Sequence, residues 1–174
     1  MLKRHLVFVL IAVLTLPFMA QENKKPYIKP PSDKALAEAV DMVEELFNKL
    51  KDGKTEELAN WITEQVGYTW DATTKVTKKN EFKSALDIIM ISPPQSAYGE
   101  LDGYDKIDES YLPGSDRFFR FTYISYHEGA PLVWEFRFYV KPDGKTSLNS
   151  IQWVDKNPFE YMSTPDMLMN RYFD

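Results

Sequence analysis

Between Arg117 and Lys141 the chain reads RFFRFTYISYHEGAPLVWEFRFYVK, with nine aromatic residues in twenty-five. Apolar and polar residues alternate on both sides of the central EGAP. Period-two alternation sends successive side chains to opposite faces of a strand, so this stretch is constrained to an antiparallel hairpin with one apolar face. If the turn sets His127 opposite Leu132, one face carries Phe119, Phe121, Tyr123, Ser125 and His127 against Val140, Phe138, Phe136, Trp134 and Leu132. The other face pairs Arg120 with Tyr139, Thr122 with Arg137, Ile124 with Glu135 and Tyr126 with Val133. A one-residue slip would bury Arg120, Glu135 and Arg137 together, so the division into faces is strongly specified. Most of the rings are therefore expected to be core.

The flanks continue the pattern. AYGELDGYDKIDESYL, from Ala97 to Leu112, reads as a long strand with a bulge near Gly103. KPDGK, from Lys141 to Lys145, has Pro and Gly where a tight hairpin turn uses them, and SLNSIQWVD is the last long strand. The two signals in that last strand conflict. Turn chemistry sends Leu148, Ser150, Gln152 and Val154 inward, whereas hydrophobicity prefers Ile151 and Trp153. Both hold only with a bulge or a strand buried on two faces.

Ahead of the strands come helical periods. Ser32 or Asp33 caps a helix carrying Leu36, Ala39, Val40, Val43, Phe47 and Leu50 on one stripe, and Gly53 terminates it. A second helix spans about Thr55 to Val66, with Leu58, Trp61, Ile62 and Val66 on one face. GYTWDATTKVTKK then reads as irregular, or as a short strand around Tyr68 to Trp70. Asn80 is the expected cap of a third helix with Phe82, Ala85, Leu86, Ile89 and Met90 inward, stopped by SPP.

The first twenty residues have a different character. MLKR is basic, LVFVLIAVLTL is an apolar run too short to span a bilayer, and Ala20 offers a small residue before a cleavage point. This predicts a signal peptide over residues 1–20, a polar, proline-rich linker over 21–32, a folded domain over 33–156 and a tail over 157–174. It also predicts an exported protein, periplasmic or extracellular. The chain has no cysteine, so a secreted form relies on its core alone. Of 21 basic and 26 acidic residues only Lys3 and Arg4 fall in the leader, which leaves 19 against 26, a net −7. That balance argues against nucleic acid and anionic membrane surfaces as partners.

Three helices leading into a run of antiparallel strands make an α+β fold, helices packed on a mainly antiparallel sheet of about four long strands. The order of elements, with ALAEAVDMVEELFNKLKDGKTEELANWITEQVGYTW leading and KKNEFKSALDII before the strands, resembles the nuclear transport factor two-like superfamily, the cystatin-like α+β cone. The resemblance spans about residues 33–155 and is closest to the small exported members. It rests on element order and hydrophobic pattern, without a fixed motif. It implies a strongly curved sheet with the first helix in the mouth of the cone. It also implies a pocket between helices and concave face, walled by Trp61, Tyr68, Trp70, Tyr123, Ser125, Trp134 and Phe136. Those residues either fill the cone or leave a ligand cavity.

Enzymes of that superfamily commonly hold an Asp or His inside the cone as acid or base. The best-placed carboxylate here is Asp71, which would gain basicity if buried beside Trp70. The competing reading is a loop Asp satisfied by backbone N–H groups. His127, the only histidine beyond the leader, sits by the turn, where exposure and an ordinary pKa are expected. Glu100, Asp102, Asp105, Asp108 and Glu109 lack the spacing of a calcium loop and read instead as charge that protects an edge strand. No phosphate loop, nucleophile elbow, cysteine nucleophile or paired histidine motif occurs, so no metal and no cofactor is expected. In the tail, Thr164, Pro165 and Asp166 start a short helix, rich in methionine and aromatic residues. It either docks on its own domain or forms a homodimer or partner contact.

These observations point first to an exported, non-catalytic binding or accessory domain for a small apolar ligand or a protein partner. The alternatives are a small-molecule isomerase, dehydratase or hydrolase that uses a buried carboxylate, and an oligomerising structural module.

Overall fold

The computed structural model describes residues 29–155; the predicted signal peptide, most of the linker and the tail helix lie outside them. The fold is α+β. Helices α1 (Asp33–Lys51), α2 (Thr55–Val66) and α3 (Ala72–Ile89) precede strands β1 (Leu101–Tyr111), β2 (Phe118–His127), β3 (Leu132–Val140) and β4 (Thr146–Val154). The strands form one open antiparallel meander in the order β1-β2-β3-β4.

Local chemistry sets the helix ends. Ser32 Oγ accepts the Ala35 N–H at 3.3 Å and opens α1, and Gly53, at φ +68°, follows its last turn in the left-handed region expected of it. α3 starts nine residues earlier than the Asn80 cap would place it. Asp71 is the actual cap: its carboxylate accepts the Thr74 N–H at 2.8 Å, and Asn80 lies mid-helix. The first half of α3 has no apolar stripe to read. It is held to α2 by ion pairs, Lys75 with Glu64 at 3.0 Å and Lys79 with Glu56 at 2.5 Å. No strand forms around Tyr68 to Trp70; the segment is a turn.

α1 crosses one face of the sheet diagonally. At β4 the Thr146 hydroxyl donates to the Ala35 carbonyl at 3.2 Å, and the Thr146 N–H to Glu38 at 2.8 Å. At β1 the Phe47 ring stacks on Tyr104 at 4.2 Å. Between them Phe47 meets Tyr123, Trp134 and Phe136 at 5.9, 5.5 and 6.1 Å. Leu58 and Ile62 of α2 and Leu86 and Ile89 of α3 complete this core. Each such side chain contributes about 1.5–3 kcal/mol by leaving water.

The β2–β3 register differs by two residues from the one expected. Phe121 pairs with Phe136 rather than Phe138, and Ser125 rather than His127 faces Leu132. His127 instead pairs with Leu101 of β1. Beyond it the Glu128 N–H donates to the Glu100 carbonyl at 3.0 Å and the Gly129 N–H to the Tyr98 carbonyl at 2.7 Å. The segment before β1 thus takes the backbone that the hairpin would have used. Gly129 is needed there, because a Cβ would lie 2.3 Å from the Ala97 carbonyl oxygen. A shift of two preserves side-chain parity, so the faces are as expected.

Three bulges adjust the other strands. Asp102 is the extra residue near Gly103, as anticipated, and Ile107 is a second in β1. In β4 the extra residue is Asn149, between the Arg137–Ser150 and Phe138–Leu148 pairs. It resolves the conflict in that strand: Leu148 is buried on the helix side, and Ile151 and Trp153 pack there as well.

Candidate functional site

The residues expected to wall a pocket separate into two groups. Tyr123, Ser125, Trp134 and Phe136 come together on the helix-facing side and are almost fully buried. Trp61 of α2 packs, half-buried, at the margin of the same core. Tyr68 is 59% exposed, and Trp70 lies half-buried in the α2–α3 turn against Gly67.

Ser125 and His127 share a face and form a directed hydrogen-bond chain. The Gly99 carbonyl can only accept, so His127 Nδ1, 3.0 Å away, carries the proton and donates to it. Nε2 is then an acceptor and takes the Ser125 hydroxyl proton at 2.9 Å. Trp134 Nε1–H donates to the same hydroxyl oxygen at 2.7 Å. His127 is therefore neither exposed nor unoriented, contrary to the expectation from its place near the turn. The loop from residue 93 to 100 packs over it, with Tyr98 in edge contact at 6.2 Å. Burial pushes its pKa below the usual histidine value, against a smaller opposing effect of the Gly99 carbonyl. Serine, base and orienting carbonyl are the outline of an activated nucleophile. Ser125, however, is 0% exposed and its oxygen already receives the indole N–H, so the chain ties the ends of β2 and β3 together.

Asp71 is a helix cap. The Thr74 backbone N–H and then the Thr74 hydroxyl hold its carboxyl below the ordinary aspartate range, the opposite of the shift a general base requires.

The third feature lies where α1 meets β1. The bulge at Ile107 changes the alternation, so Tyr104 and Lys106 before it and Glu109 and Tyr111 after it all face the helix side. Lys106 Nζ sits 4.7 Å above the Phe121 ring and binds Glu109 at 2.5 Å; the Tyr111 hydroxyl donates to the same carboxylate. Tyr104 and Tyr123 stand side by side, ring centroids 6.2 Å apart, with Glu44 of α1 near both. Burial, then the neighbouring Tyr104, Glu44 and Glu109, push the Tyr123 phenol up to about 12. Burial and Glu44 raise Tyr104 too. Both phenols stay protonated and are hydrogen-bond donors. Neither hydroxyl has a hydrogen-bond partner among the described residues. Tyr123 was legible as a wall residue. Tyr104, Lys106, Glu109 and Tyr111 were missed, because simple alternation places them on two faces and the acidic composition of β1 reads as a solvated edge. Asp105 is exposed on the opposite face, where it accepts from Tyr126 at 2.9 Å; Asp108 lies on that face too but its side chain is largely buried, accepting from Ser110 at 2.5 Å and facing Arg120 at 3.7 Å.

Fold and site together define an α+β domain with three helices on one face of a four-stranded meander and a tyrosine-lined margin between α1 and β1. Comparison with protein-family models, with curated proteins and with solved structures finds no match.

Proposed function

We propose that this chain is an exported, non-catalytic binding or accessory domain with the cone architecture of the nuclear transport factor two-like superfamily. Its ligand enters at the α1–β1 margin. An apolar body rests against the half-buried rings of Tyr104 and Tyr111, and a hydrogen-bond acceptor meets the phenols of Tyr104 and Tyr123. The observation that carries this reading is the Tyr123 hydroxyl. Its residue is 5% exposed and no described group accepts from it, yet the hydroxyl itself keeps contact with solvent, so a phenol donor stands at the edge of the core open to an incoming acceptor. The commitment of Asp71 to the α3 cap and of both His127 nitrogens to structural partners supports a binding role over acid–base catalysis.

A thermal-shift screen with small aromatic and aliphatic carbonyl compounds, followed by titration of the hits, tests the reading. Tyr123→Phe removes one hydroxyl and keeps the packing. It should weaken binding by about 10-fold, the loss of one good hydrogen bond, with Tm little changed. His127→Gln should leave affinity unchanged. The reverse pattern would move the site to the Ser125–His127 chain and favour the enzyme reading.

A further inference from the structure

The exposed side of α1 carries an open hollow of about 390 Å³. Its lining is mostly acidic, with Asp41, Glu44, Glu45 and Asp52 beside Lys49 and Lys54. Two of these carboxylates are matched, Glu45 by Lys49 at 3.4 Å and Asp52 by Lys54 at 2.9 Å. Asp41 and Glu44 have no counter-charge among the described residues. They follow one another at helical spacing, and Glu44 lies one turn before Phe47, whose ring stacks on Tyr104. Glu44 therefore stands on the flank of α1 where the hollow meets the tyrosine margin. Burial is the first cause that raises the Tyr104 and Tyr123 phenols, and Glu44 adds to it in both, so its field reaches both hydroxyls.

The margin is suited to positive charge on its ring side as well. Lys106 Nζ rests 4.7 Å over the Phe121 ring, and Glu109 neutralises it at 2.5 Å. The half-buried rings of Tyr104 and Tyr111 lie on the same face of β1, before and after that pair. The Tyr123 hydroxyl is an observation independent of the carboxylates: the residue is 5% exposed and brings a donor without a described acceptor to the same place. A ligand carboxylate would take the phenol protons but would meet Glu44 and Glu109 as like charges. A neutral acceptor joined to a positive charge satisfies all of these groups. We propose that the margin takes an organic ammonium compound. Its carbonyl or ether oxygen accepts from Tyr104 and Tyr123, and its tertiary or quaternary ammonium group lies between Glu44 and the tyrosine rings, which attract a cation by their π faces. This inference rests on the binding reading above and adds the charge of the ligand to it.

Matched aromatic carbonyl compounds test the charge. They are benzoylcholine, the neutral ester in which a carbon atom replaces its ammonium nitrogen, and anionic hippurate, each titrated calorimetrically into the full chain at low salt. Benzoylcholine should bind about 10-fold or more tightly than the neutral ester, and hippurate least well. Glu44→Gln, at an exposed helix position, should cut that preference to within about 3-fold. Glu57→Gln, on the exposed side of α2, should leave it unchanged, which separates Glu44 from the overall negative charge of the chain. Tyr123→Phe should weaken both esters alike. Equal affinity for the two esters, with both weakened by Tyr123→Phe, would keep the margin as the binding site and overturn the ammonium assignment. A preference that survives Glu44→Gln, or falls as far with Glu57→Gln, would overturn it too, as would tighter binding of hippurate. Binding of neither ester, or binding that ignores Tyr123→Phe, would overturn the margin reading and this inference with it.

Discussion

The two faces of the β2–β3 hairpin are built on different physics. On the helix side Phe121, Tyr123, Trp134, Phe136 and Phe138 pack ring on ring, with centroids 5.4–6.5 Å apart along the two strands. These contacts are non-directional, and any inward aromatic can face any other. On the far side Glu135 accepts from Arg120, Arg137 and Gln152, each at a defined atom. Here a misplaced partner leaves a buried charge uncompensated. The two-residue register difference makes the contrast concrete. The aromatic face tolerates either register, because it only exchanges one ring pair for another. The polar face does not: in the observed register Arg120 lies opposite Arg137 and Thr122 opposite Glu135, with Glu135 set diagonally between the two guanidinium groups. Rings drive collapse of this hairpin, and the ion network discriminates between its registers.

Substitutions can break that division of labour, and the largest effect belongs to the ring side. Phe138→Ala, at a fully buried position, should cost about 3–5 kcal/mol in denaturant titration. A loss below 1 kcal/mol would show that the ring face is not a close-packed core. Next comes the polar side. Glu135→Ala leaves Asp108, at 3.7 Å, as the one counter-charge to Arg120 among the described residues and should cost about 2–4 kcal/mol. Arg137→Ala removes a side chain that is 44% exposed and should cost less than about 1 kcal/mol. Equal losses for Glu135 and Arg137 would mean that the network does not select the register.

A smaller effect sharpens the contrast at the end of the hairpin. His127 is held below its ordinary value of 6.5 in the folded chain, chiefly by burial. The unfolded chain therefore takes up the proton first, so this group's contribution is complete above about pH 6.5 and is lost as the pH falls towards the folded pKa. The Tm advantage of the unaltered chain over His127→Gln should shrink between about pH 8 and pH 5. A gap that widens on acidification would place His127 in contact with an anionic group instead. The smallest effect is expected at Asp71. Its replacement by Ala should lower Tm slightly through loss of the α3 cap, with Asp71→Asn restoring it; a catalytic carboxylate would not be rescued by the amide.

Much of the architecture was legible in the chain itself. The stripes of α1 and α2, the alternation in β2 and β3 and the KPDGK turn each fall within a few consecutive residues, and the elements match them. The division into faces was legible for the same reason: side-chain parity has period two, and a two-residue change of register leaves it intact. Other features depended on groups far apart in sequence. The first half of α3 carries no apolar period and is fixed by Asp71 and by ion pairs to α2. The bulges at Ile107 and Asn149 arise from pairing with the neighbouring strand, and the first of them assembles the Tyr104–Tyr111 margin. His127 looked exposed because the residues that enclose it, from 97 to 100, precede it by nearly thirty positions. Periodicity, caps and turns are properties of adjacent residues, and the sequence determined them alone. Register, bulges and the environment of a side chain come from competition between distant backbone and side-chain groups for the same hydrogen bonds, which only the assembled tertiary structure decides.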